Sequence, residues 1–283
     1  MNTIRLLSFV LLFLFCLACQ AKEIPPEVHK QAAPTPQTPK ATQPSSTLRH
    51  IIILTGGAKA EQRLPLIVAL HGLGNTSEGF ARLFTTFQRP ARVLLPEGPL
   101  PARGQGHSWF RIRLTDGHLR LNEQQILDAS KQIALLTKQI QKENPTLGQP
   151  ILTGFSQGGI LSYALALHHP DTFSVVLPVA GWLPESLVPK EIQTKVAPKI
   201  RALHGEADPI VRHASTKRLH DRLNKLGLDA KLKSYPNVRH TINTPMRAEL
   251  FRLLGEAMKE NQETIHGREE RRPGNPSRAS THR

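Results

Sequence analysis

The chain has 283 residues, enough for one mixed α/β domain of roughly 200–250 residues with appendages at its ends. The formal net charge of +15 favours attraction to anionic surfaces, but only 5% of the residues are aromatic and no basic stripe is interleaved with stacking side chains, so dedicated nucleic-acid recognition finds little support. Both cysteines, Cys16 and Cys19, lie in the N-terminal apolar segment, which rules out a disulfide, a thiolate nucleophile or a cysteine-based metal site in the folded part.

Residues 1–19 are predicted to be an export signal. The positive residue Arg5 precedes an apolar run that is short for a membrane-spanning helix, which needs about 20 apolar residues. The run ends in Cys-Leu-Ala-Cys at Cys19, which resembles a bacterial lipobox, although Cys16 stands where leucine is usual. Ordinary cleavage after Ala21 is the alternative. We therefore expect an exported protein that is either anchored to a membrane through a lipidated Cys19 or free in the periplasm or medium.

Residues 20–47 are predicted to be a linker. Residues 22–47 contain six prolines and almost no large apolar side chains, so this segment cannot bury enough surface to offset the entropy of ordering it. A leader without a role of its own is an equally open interpretation. At the other end, residues 263–283 are predicted to be a basic disordered tail, since no apolar pattern continues from His266 onward. The folded domain is expected over residues 48–262.

Strands and helices alternate along the first half of this domain. Short apolar runs predict strands, and apolar residues at helical spacing predict helices. The run at residues 66–70 is continuous, as is typical of a buried parallel strand. The predicted strands are residues 51–54, 66–70 and 93–96, and the predicted helices are residues 76–88 and 121–142.

Residues 96–120 are predicted to form a loop rich in proline and glycine. A long ordered loop after a strand is often functional. It contains Trp109 and Phe110, for which two interpretations remain open. They wall an acyl pocket as substrate-binding residues, or they form a hydrophobic cluster that anchors the loop.

The second half continues the same alternation. A strand–turn–helix unit is predicted over residues 151–167. The remaining predicted strands are residues 175–179, 199–203 and 229–235, and the remaining predicted helices are residues 213–227 and 245–259. Regular alternation of this kind predicts an α/β fold with a mostly parallel central sheet and helices on both faces.

The strand–turn–helix unit contains the motif Gly154-Phe155-Ser156-Gln157-Gly158. This is the G-x-S-x-G pattern of a nucleophile elbow, in which a serine is held at a sharp, strained turn above the edge of a sheet. A side chain at either glycine is expected to collide with the neighbouring strand or helix. Ser156 is therefore the predicted catalytic nucleophile.

Two backbone N–H groups are predicted to form an oxyanion hole. Gln157 follows the elbow at the start of a helix, where N–H groups lack an intrahelical acceptor and can point at an oxyanion. The second expected donor is Leu73, in the glycine-rich turn at residues 71–74, because open α/β sheets build their sites at the edge where the parallel strands end. His71, in the same turn, is interpreted as a structural residue and not as a base.

A serine hydroxyl becomes a good nucleophile only when a base takes its proton and an acid orients that base. Asp208 follows the strand at 199–203 by five residues, and His240 follows the strand at 229–235 by five residues. Both therefore lie at the same sheet edge as the elbow, and the order serine, acid, histidine is that of hydrolases with this elbow. The predicted catalytic triad is Ser156, Asp208 and His240.

Other acids and histidines fit less well. Asp208 precedes Pro209 and so has a stiffer frame than its neighbours, and the other histidines belong to a strand end or to a helix face expected to be solvated. No metal or other cofactor is expected, since no spacing such as H-E-x-x-H occurs. The rejected candidates are Glu206, Asp221 and Asp229 as acids and His204, His213 and His220 as bases.

Taken together, five motifs resemble the phospholipase/carboxylesterase group of α/β-hydrolases, which includes acyl-protein thioesterases and small bacterial carboxylesterases. The resemblance covers about residues 50–260 and implies the same triad and oxyanion donors. The family often has acidic residues where Asn75 and Arg111 stand. The acyl-chain length and the leaving group that family members prefer therefore cannot be assumed for this chain. The motifs are His71-Gly72-Leu73-Gly74, Ser108-Trp109-Phe110, residues 154–159, His204-Gly205 followed by Asp208-Pro209 and Val211, and His240.

We therefore predict an exported serine esterase that cleaves small-molecule or lipid esters, or thioesters, through an acyl-enzyme. One alternative is a secreted polyester or feruloyl-type esterase. The other is a non-catalytic protein that holds anionic glycans or envelope through its basic surface, although the intact triad argues against it. No specific nucleic-acid partner is expected.

Overall fold

The computed structural model describes residues 46–102, 104–115, 118–192 and 196–269. The predicted export signal with Cys19, most of the predicted linker and the end of the predicted tail beyond residue 269 lie outside the described residues. Within the described ranges, no helix combines the length and the hydrophobicity needed to cross a bilayer.

The described strands belong to one large sheet and two small antiparallel pairs. In chain order they are β1 His50–Thr55, β2 Leu66–Leu70, β3 Ala91–Pro96, β4 Leu100–Pro101, β5 His107–Ser108, β6 Ile112–Thr115, β7 His118–Leu121, β8 Ile151–Phe155, β9 Val175–Val179, β10 Lys199–Gly205 and β11 Ala230–Tyr235. The described α-helices are α1 Ser77–Ala81, α2 Glu123–Glu143, α3 Gln157–His168, α4 His213–Lys225 and α5 Thr244–Glu269.

The large sheet has seven strands in the order β1-β3-β2-β8-β9-β10-β11. β1 runs antiparallel to β3, and the other neighbours are parallel. β2 and β8 are adjacent, with Leu70 opposite Gly154, so the turns that follow these two strands leave the sheet side by side. The predicted α/β fold with a mostly parallel sheet is confirmed.

Two apolar layers cover the two faces of the sheet. Along β2, Leu66 and Val68 belong to the layer formed with α2, α3 and α4. The intervening Ile67 and Ala69 belong to the layer formed with α1 and α5. Alternate residues of a strand point to opposite faces, which is why a strand buried on both sides is apolar at every position. Helices on both faces are therefore confirmed.

The helix expected over residues 76–88 is shorter than predicted. Thr76 caps α1 by accepting a hydrogen bond from Gly79 N, and after Ala81 the chain tightens into a 3₁₀ turn, Arg82–Phe84. Thr85 and Thr86 are β-branched, which lowers their helix propensity. Pro90 disfavours helical geometry at Arg89, the residue before it. The segment therefore ends early and turns into β3.

The loop expected over residues 96–120 contains regular structure that the sequence did not predict. β4 pairs with β5, and β6 pairs with β7, placing Arg113 opposite Arg120. Ile112 and Leu121 pack on the core while Arg113 and Arg120 are exposed. Strands of two to four residues contain too few alternations for a period of two to be recognised.

The last helix is longer than predicted and runs past the expected domain boundary at residue 262. The helix was expected to end at residue 259, but α5 continues to Glu269, so the first residues of the predicted disordered tail are helical. Asn261 is buried, and its Nδ2 donates to Gln149 O at 2.7 Å. Glu260 pairs with Lys199 at 2.9 Å. These contacts with distant residues hold the first two residues beyond the predicted helix end on the domain.

The interpretation of His220 as part of a solvated helix face is wrong. His220 is 4% exposed, and its Nε2 lies 2.8 Å from the hydroxyl of the buried Tyr163. His213 is half-buried, with its Nε2 2.7 Å from Ser234 Oγ. One face of α4 is buried, but the many charged residues in its sequence make the whole helix resemble a solvated one.

Candidate active site

Ser156 occupies a strained turn between β8 and α3. Its φ is 56° and its ψ is −113°, a conformation that costs a residue with a side chain about 1–3 kcal/mol. Ser156 N donates to Val179 O at 3.0 Å, and Ile160 N donates to Ser156 O at 2.9 Å. These two bonds hold the turn in place, so the serine is fixed at the edge where the parallel strands end.

The two motif glycines lie where the elbow packs on its neighbours. A Cβ at Gly154 would lie 2.3 Å from Gly158 O, and a Cβ at Gly158 would lie 2.1 Å from Leu70 O. Both distances are far below van der Waals contact with backbone atoms, which cannot move as a flexible side chain can. Glycine is therefore required at both positions for α3 to approach β8 and β2 so closely.

The structure brings the three residues of the predicted triad together. His240 Nε2 lies 2.9 Å from Ser156 Oγ, and His240 Nδ1 lies 2.7 Å from Asp208 Oδ2. The Asp208 side chain is fully buried, while that of His240 is 17% exposed. A continuous hydrogen-bonded path therefore joins a buried carboxylate to a serine hydroxyl at the sheet edge.

Asp208 is held firmly by its own loop. Its Oδ1 accepts hydrogen bonds from Ile210 N and Val211 N, both at 2.9 Å. An ionised carboxylate can only accept, so His240 Nδ1 carries the hydrogen of their shared bond. In the neutral ring this leaves Nε2 unprotonated and able to accept the hydroxyl hydrogen of Ser156.

The rival acids are not in a position to replace Asp208. Glu206 is exposed to solvent, and Asp229 forms an ion pair with Arg201. That pair holds the pKa of the Asp229 carboxyl below its ordinary value, mainly through the hydrogen bond from Arg201. Among the carboxylates of the described residues, only Asp208 bonds to His240.

Gln157 follows Ser156 directly, and the turn that contains Leu73 packs against the elbow. Gln157 is the first residue of α3, so its N–H has no intrahelical acceptor. Gly72, which precedes Leu73, lies against the elbow, since a Cβ there would be 3.4 Å from Ser156 Cβ. The Leu73 side chain is 55% exposed, and no described residue accepts a hydrogen bond from its N–H. Two amide groups thus remain available beside the serine.

The burial of Trp109 and Phe110 supports the loop-anchor interpretation over the predicted substrate-binding role. Their exposed fractions are 1% and 0%, and both belong to the core layer between the sheet and α2, α3 and α4. Trp109 Nε1 donates to His71 O at 2.9 Å. Neither ring presents an accessible surface to an acyl chain, because core residues cover both rings.

Sequence reasoning missed the side chain of Gln157, which is 1% exposed. Its Oε1 accepts from Trp109 N at 3.0 Å and from Ser108 Oγ at 3.1 Å, and its Nε2 donates to Phe110 O at 2.9 Å. No pattern in the local sequence could reveal a contact between residues 48 positions apart. The available signal was a polar residue at the start of a largely apolar helix, because a buried polar side chain must find hydrogen-bond partners.

Two further histidines lie near the triad in structural roles. His71 and His204 are fully buried, and burial lowers the pKa of each ring. His204 Nε2 lies 2.9 Å from Val211 O and 3.4 Å from Asp208 Oδ2. Neither residue bonds to Ser156 Oγ, and the described residues contain no group of His, Cys, Asp or Glu side chains that could hold a metal ion.

Comparison with known proteins gives a consistent set of relatives. A family model described as phospholipase/carboxylesterase matches residues 53–251. Acyl-protein thioesterase 1 of Neurospora crassa is 28% identical over 196 residues, covering 62% of this chain and 79% of that protein. Acyl-protein thioesterase 1 of Mycosarcoma maydis is 30% identical over 200 residues, covering 61% and 82%.

Solved structures show the same fold. The crystal structure of esterase PE8 superposes with a TM-score of 0.62 at 22% identity, covering 74% of this chain and 99% of that one. SOBER1 of Arabidopsis thaliana superposes with a TM-score of 0.57 at 24% identity, covering 70% and 98%.

Proposed function

Because the chain belongs to the phospholipase/carboxylesterase family, we propose that it is a serine hydrolase that cleaves carboxylic esters or thioesters through Ser156, His240 and Asp208. The chain is a hydrolase of the carboxylesterase and thioesterase type. The observation that supports a catalytic triad is the hydrogen-bonded path from Ser156 Oγ to the buried Asp208 carboxylate through both nitrogens of His240.

The first half of the proposed reaction transfers the acyl group to the enzyme. Ser156 Oγ attacks the carbonyl carbon while His240 Nε2 takes the hydroxyl proton, and the carbonyl oxygen becomes an oxyanion. The Leu73 and Gln157 N–H groups donate to that oxyanion, and each such donor contributes about 3 kcal/mol in comparable sites. The carbon–oxygen or carbon–sulfur bond then breaks, His240 gives its proton to the departing alcohol or thiol, and acyl-Ser156 remains.

The second half releases the acid. A water molecule attacks the acyl carbon as His240 Nε2 accepts one of its protons, and the same two N–H groups again hold the oxyanion. The bond to Ser156 Oγ breaks, the proton returns from His240 to the serine, and a carboxylic acid leaves. Asp208 stays ionised throughout and stabilises the protonated imidazole.

The substrate class of the proposal is a small-molecule or lipid ester, and the enzyme is exported, either as a membrane-anchored lipoprotein or free in the periplasm or medium. Export is inferred from residues 1–19, and tethering is inferred from the lipobox-like ending at Cys19. Cells fed a palmitate analogue should label the wild-type chain and not the Cys19→Ala variant. Equal absence of label from both, with a mature chain beginning at Lys22, would replace tethering by plain secretion.

The test of the activity is hydrolysis of p-nitrophenyl esters from acetyl to palmitoyl by the full chain. Ser156→Ala should abolish turnover, whereas Ser130→Ala, the same change at a buried serine of α2, should leave it intact. Turnover by Ser156→Ala at the wild-type rate would refute the proposal. The chain length that gives the highest kcat/KM would define the acyl group the site accepts.

A further inference from the structure

We propose that the buried side chains of Gln157, Trp109 and His71, here termed the oxyanion brace, fix the two proposed oxyanion donors relative to each other. The inference rests on the proposed esterase function, since it concerns the same site. Leu73 comes from the turn after β2 and Gln157 from the start of α3. Their N–H groups must converge on one oxygen atom, so their relative orientation has to be held to within a fraction of an ångström.

The first link of the oxyanion brace is the side chain of Gln157. Its amide bonds to the backbone on both sides of one short segment, accepting from Trp109 N at 3.0 Å and donating to Phe110 O at 2.9 Å. It also accepts from Ser108 Oγ at 3.1 Å. The residue whose backbone N–H faces the oxyanion is thus locked to residues 108–110 by its own side chain.

The second link is the indole of Trp109, which crosses from this segment to the turn after β2. Its Nε1 donates to His71 O at 2.9 Å, and its ring centroid lies 4.9 Å from that of His71. The ring is 1% exposed, so it has no freedom to rotate away. The carbonyl that it holds belongs to the residue two positions before Leu73.

The third link is the imidazole of His71. Its Nδ1 lies 2.8 Å from Gly72 O, and its Nε2 accepts from Gly98 N at 3.0 Å, so the neutral ring with its hydrogen on Nδ1 satisfies both bonds. Burial lowers the pKa of His71 and so favours the neutral ring. The hydrogen bond to Gly72 O and the nearby Glu97 oppose this effect, and His107 adds to it.

The bond to Gly72 O has a direct consequence for Leu73. Gly72 C=O and Leu73 N–H belong to one planar trans peptide unit, in which the two groups point in opposite directions. Holding the carbonyl therefore aims the N–H. An unbroken set of hydrogen bonds thus runs from the Gln157 side chain through Trp109 and His71 to the peptide unit that carries the Leu73 donor.

The test removes one link at a time from the full chain and measures both substrate turnover and the binding of an alkylboronic acid. The boronic acid adds to the serine oxygen and gives a tetrahedral anion, whose oxygen needs the same donors as the transition state. Trp109→Phe deletes the indole N–H and keeps an aromatic ring, and Gln157→Met deletes the amide and keeps the backbone donor. The matched control, Tyr163→Phe, deletes a buried hydroxyl on α3 that lies outside the oxyanion brace.

Each brace variant should lower kcat on p-nitrophenyl butyrate by about 10- to 100-fold, with KM changed by less than about twofold. The affinity for the boronic acid should fall by the same factor as kcat/KM. The double variant should be little worse than either single one, because both links lie on one path. Tyr163→Phe should leave kcat and boronate affinity at wild-type values.

An unchanged kcat in a folded Trp109→Phe variant would overturn the inference, and so would a loss of kcat without loss of boronate affinity. Trp109→Phe decides the matter even where Gln157→Met does not fold, since it alone breaks the second link. Failure of the proposed function would look different, because the wild type itself would then show no Ser156-dependent turnover.

Discussion

Acidification should destabilise the protein through the buried His220. Tyr163 is fully buried, burial raises the pKa of its hydroxyl, and the oxygen of that hydroxyl lies 2.8 Å from His220 Nε2. Burial also lowers the pKa of His220 to about 4 from its ordinary 6.5, against the opposing effects of the Ala230 backbone and Asp221. The native state thus holds this ring neutral, because burial disfavours the charged form of the imidazole.

The sign and size of the effect follow from the two pKa values. Below pH 6.5 the unfolded chain binds this proton first, so the free energy of unfolding falls by about 1.4 kcal/mol per pH unit and levels off near pH 4. The total loss is about 3 kcal/mol, which corresponds to roughly 6–12 °C in Tm for a domain of this size. Above pH 6.5 the contribution of His220 is complete.

Urea unfolding followed by circular dichroism between pH 7 and pH 4 measures this loss. The side chain at position 220 of His220→Gln cannot titrate. The free energy of unfolding of this variant should therefore fall less steeply with acid than that of the wild type, because unfolding takes up as much as one proton fewer. Other buried histidines such as His71 and His204 are present in both proteins and cancel in the comparison. Parallel curves for the two proteins over this range would refute the reasoning.

Three further substitutions have expected outcomes. Asp208→Asn should lower kcat by about 10⁴-fold with little change in KM, because His240 is no longer held in the right tautomer, and steady-state kinetics would reveal a smaller role if the loss were below tenfold. Gly158→Ala should lower the free energy of unfolding by more than about 2 kcal/mol, since its Cβ would meet Leu70 O at 2.1 Å; wild-type urea unfolding would contradict this. Asn261→Ala should cost about 1 kcal/mol by losing its bond to the backbone near the start of β8, and an unchanged Tm would show that the end of α5 contributes nothing.

The parts of the fold that depend on long periodic patterns could be predicted from the sequence. The apolar run at residues 66–70 coincides with β2, because a strand buried on both faces is apolar at every position. The proximity of Asp208 and His240 to Ser156 could also be predicted, since parallel strands end at one edge of the sheet and loops that follow them meet there.

The parts that depend on single long-range contacts could not be predicted. Nothing in the local sequence indicates that Asn261 reaches Gln149 and so extends α5, or that His220 turns inward to Tyr163. Trp109 shows the same limit, since its two interpretations differ only in whether the ring is exposed. Its burial and its bond to His71 favour the loop-anchor interpretation, and that bond joins residues 38 positions apart in the sequence.

Ser156 is the proposed nucleophile of an acyl transfer, and every other assignment at the site depends on this role. Titration of the full chain with a fluorophosphonate, followed by peptide mass spectrometry and residual ester hydrolysis, tests it most directly. One phosphonyl group per chain should appear on Ser156, turnover should fall in proportion to that label, and Asp208→Asn should slow the labelling. Complete labelling of Ser156 with turnover intact, or lost turnover with the label on another residue, would contradict the claim.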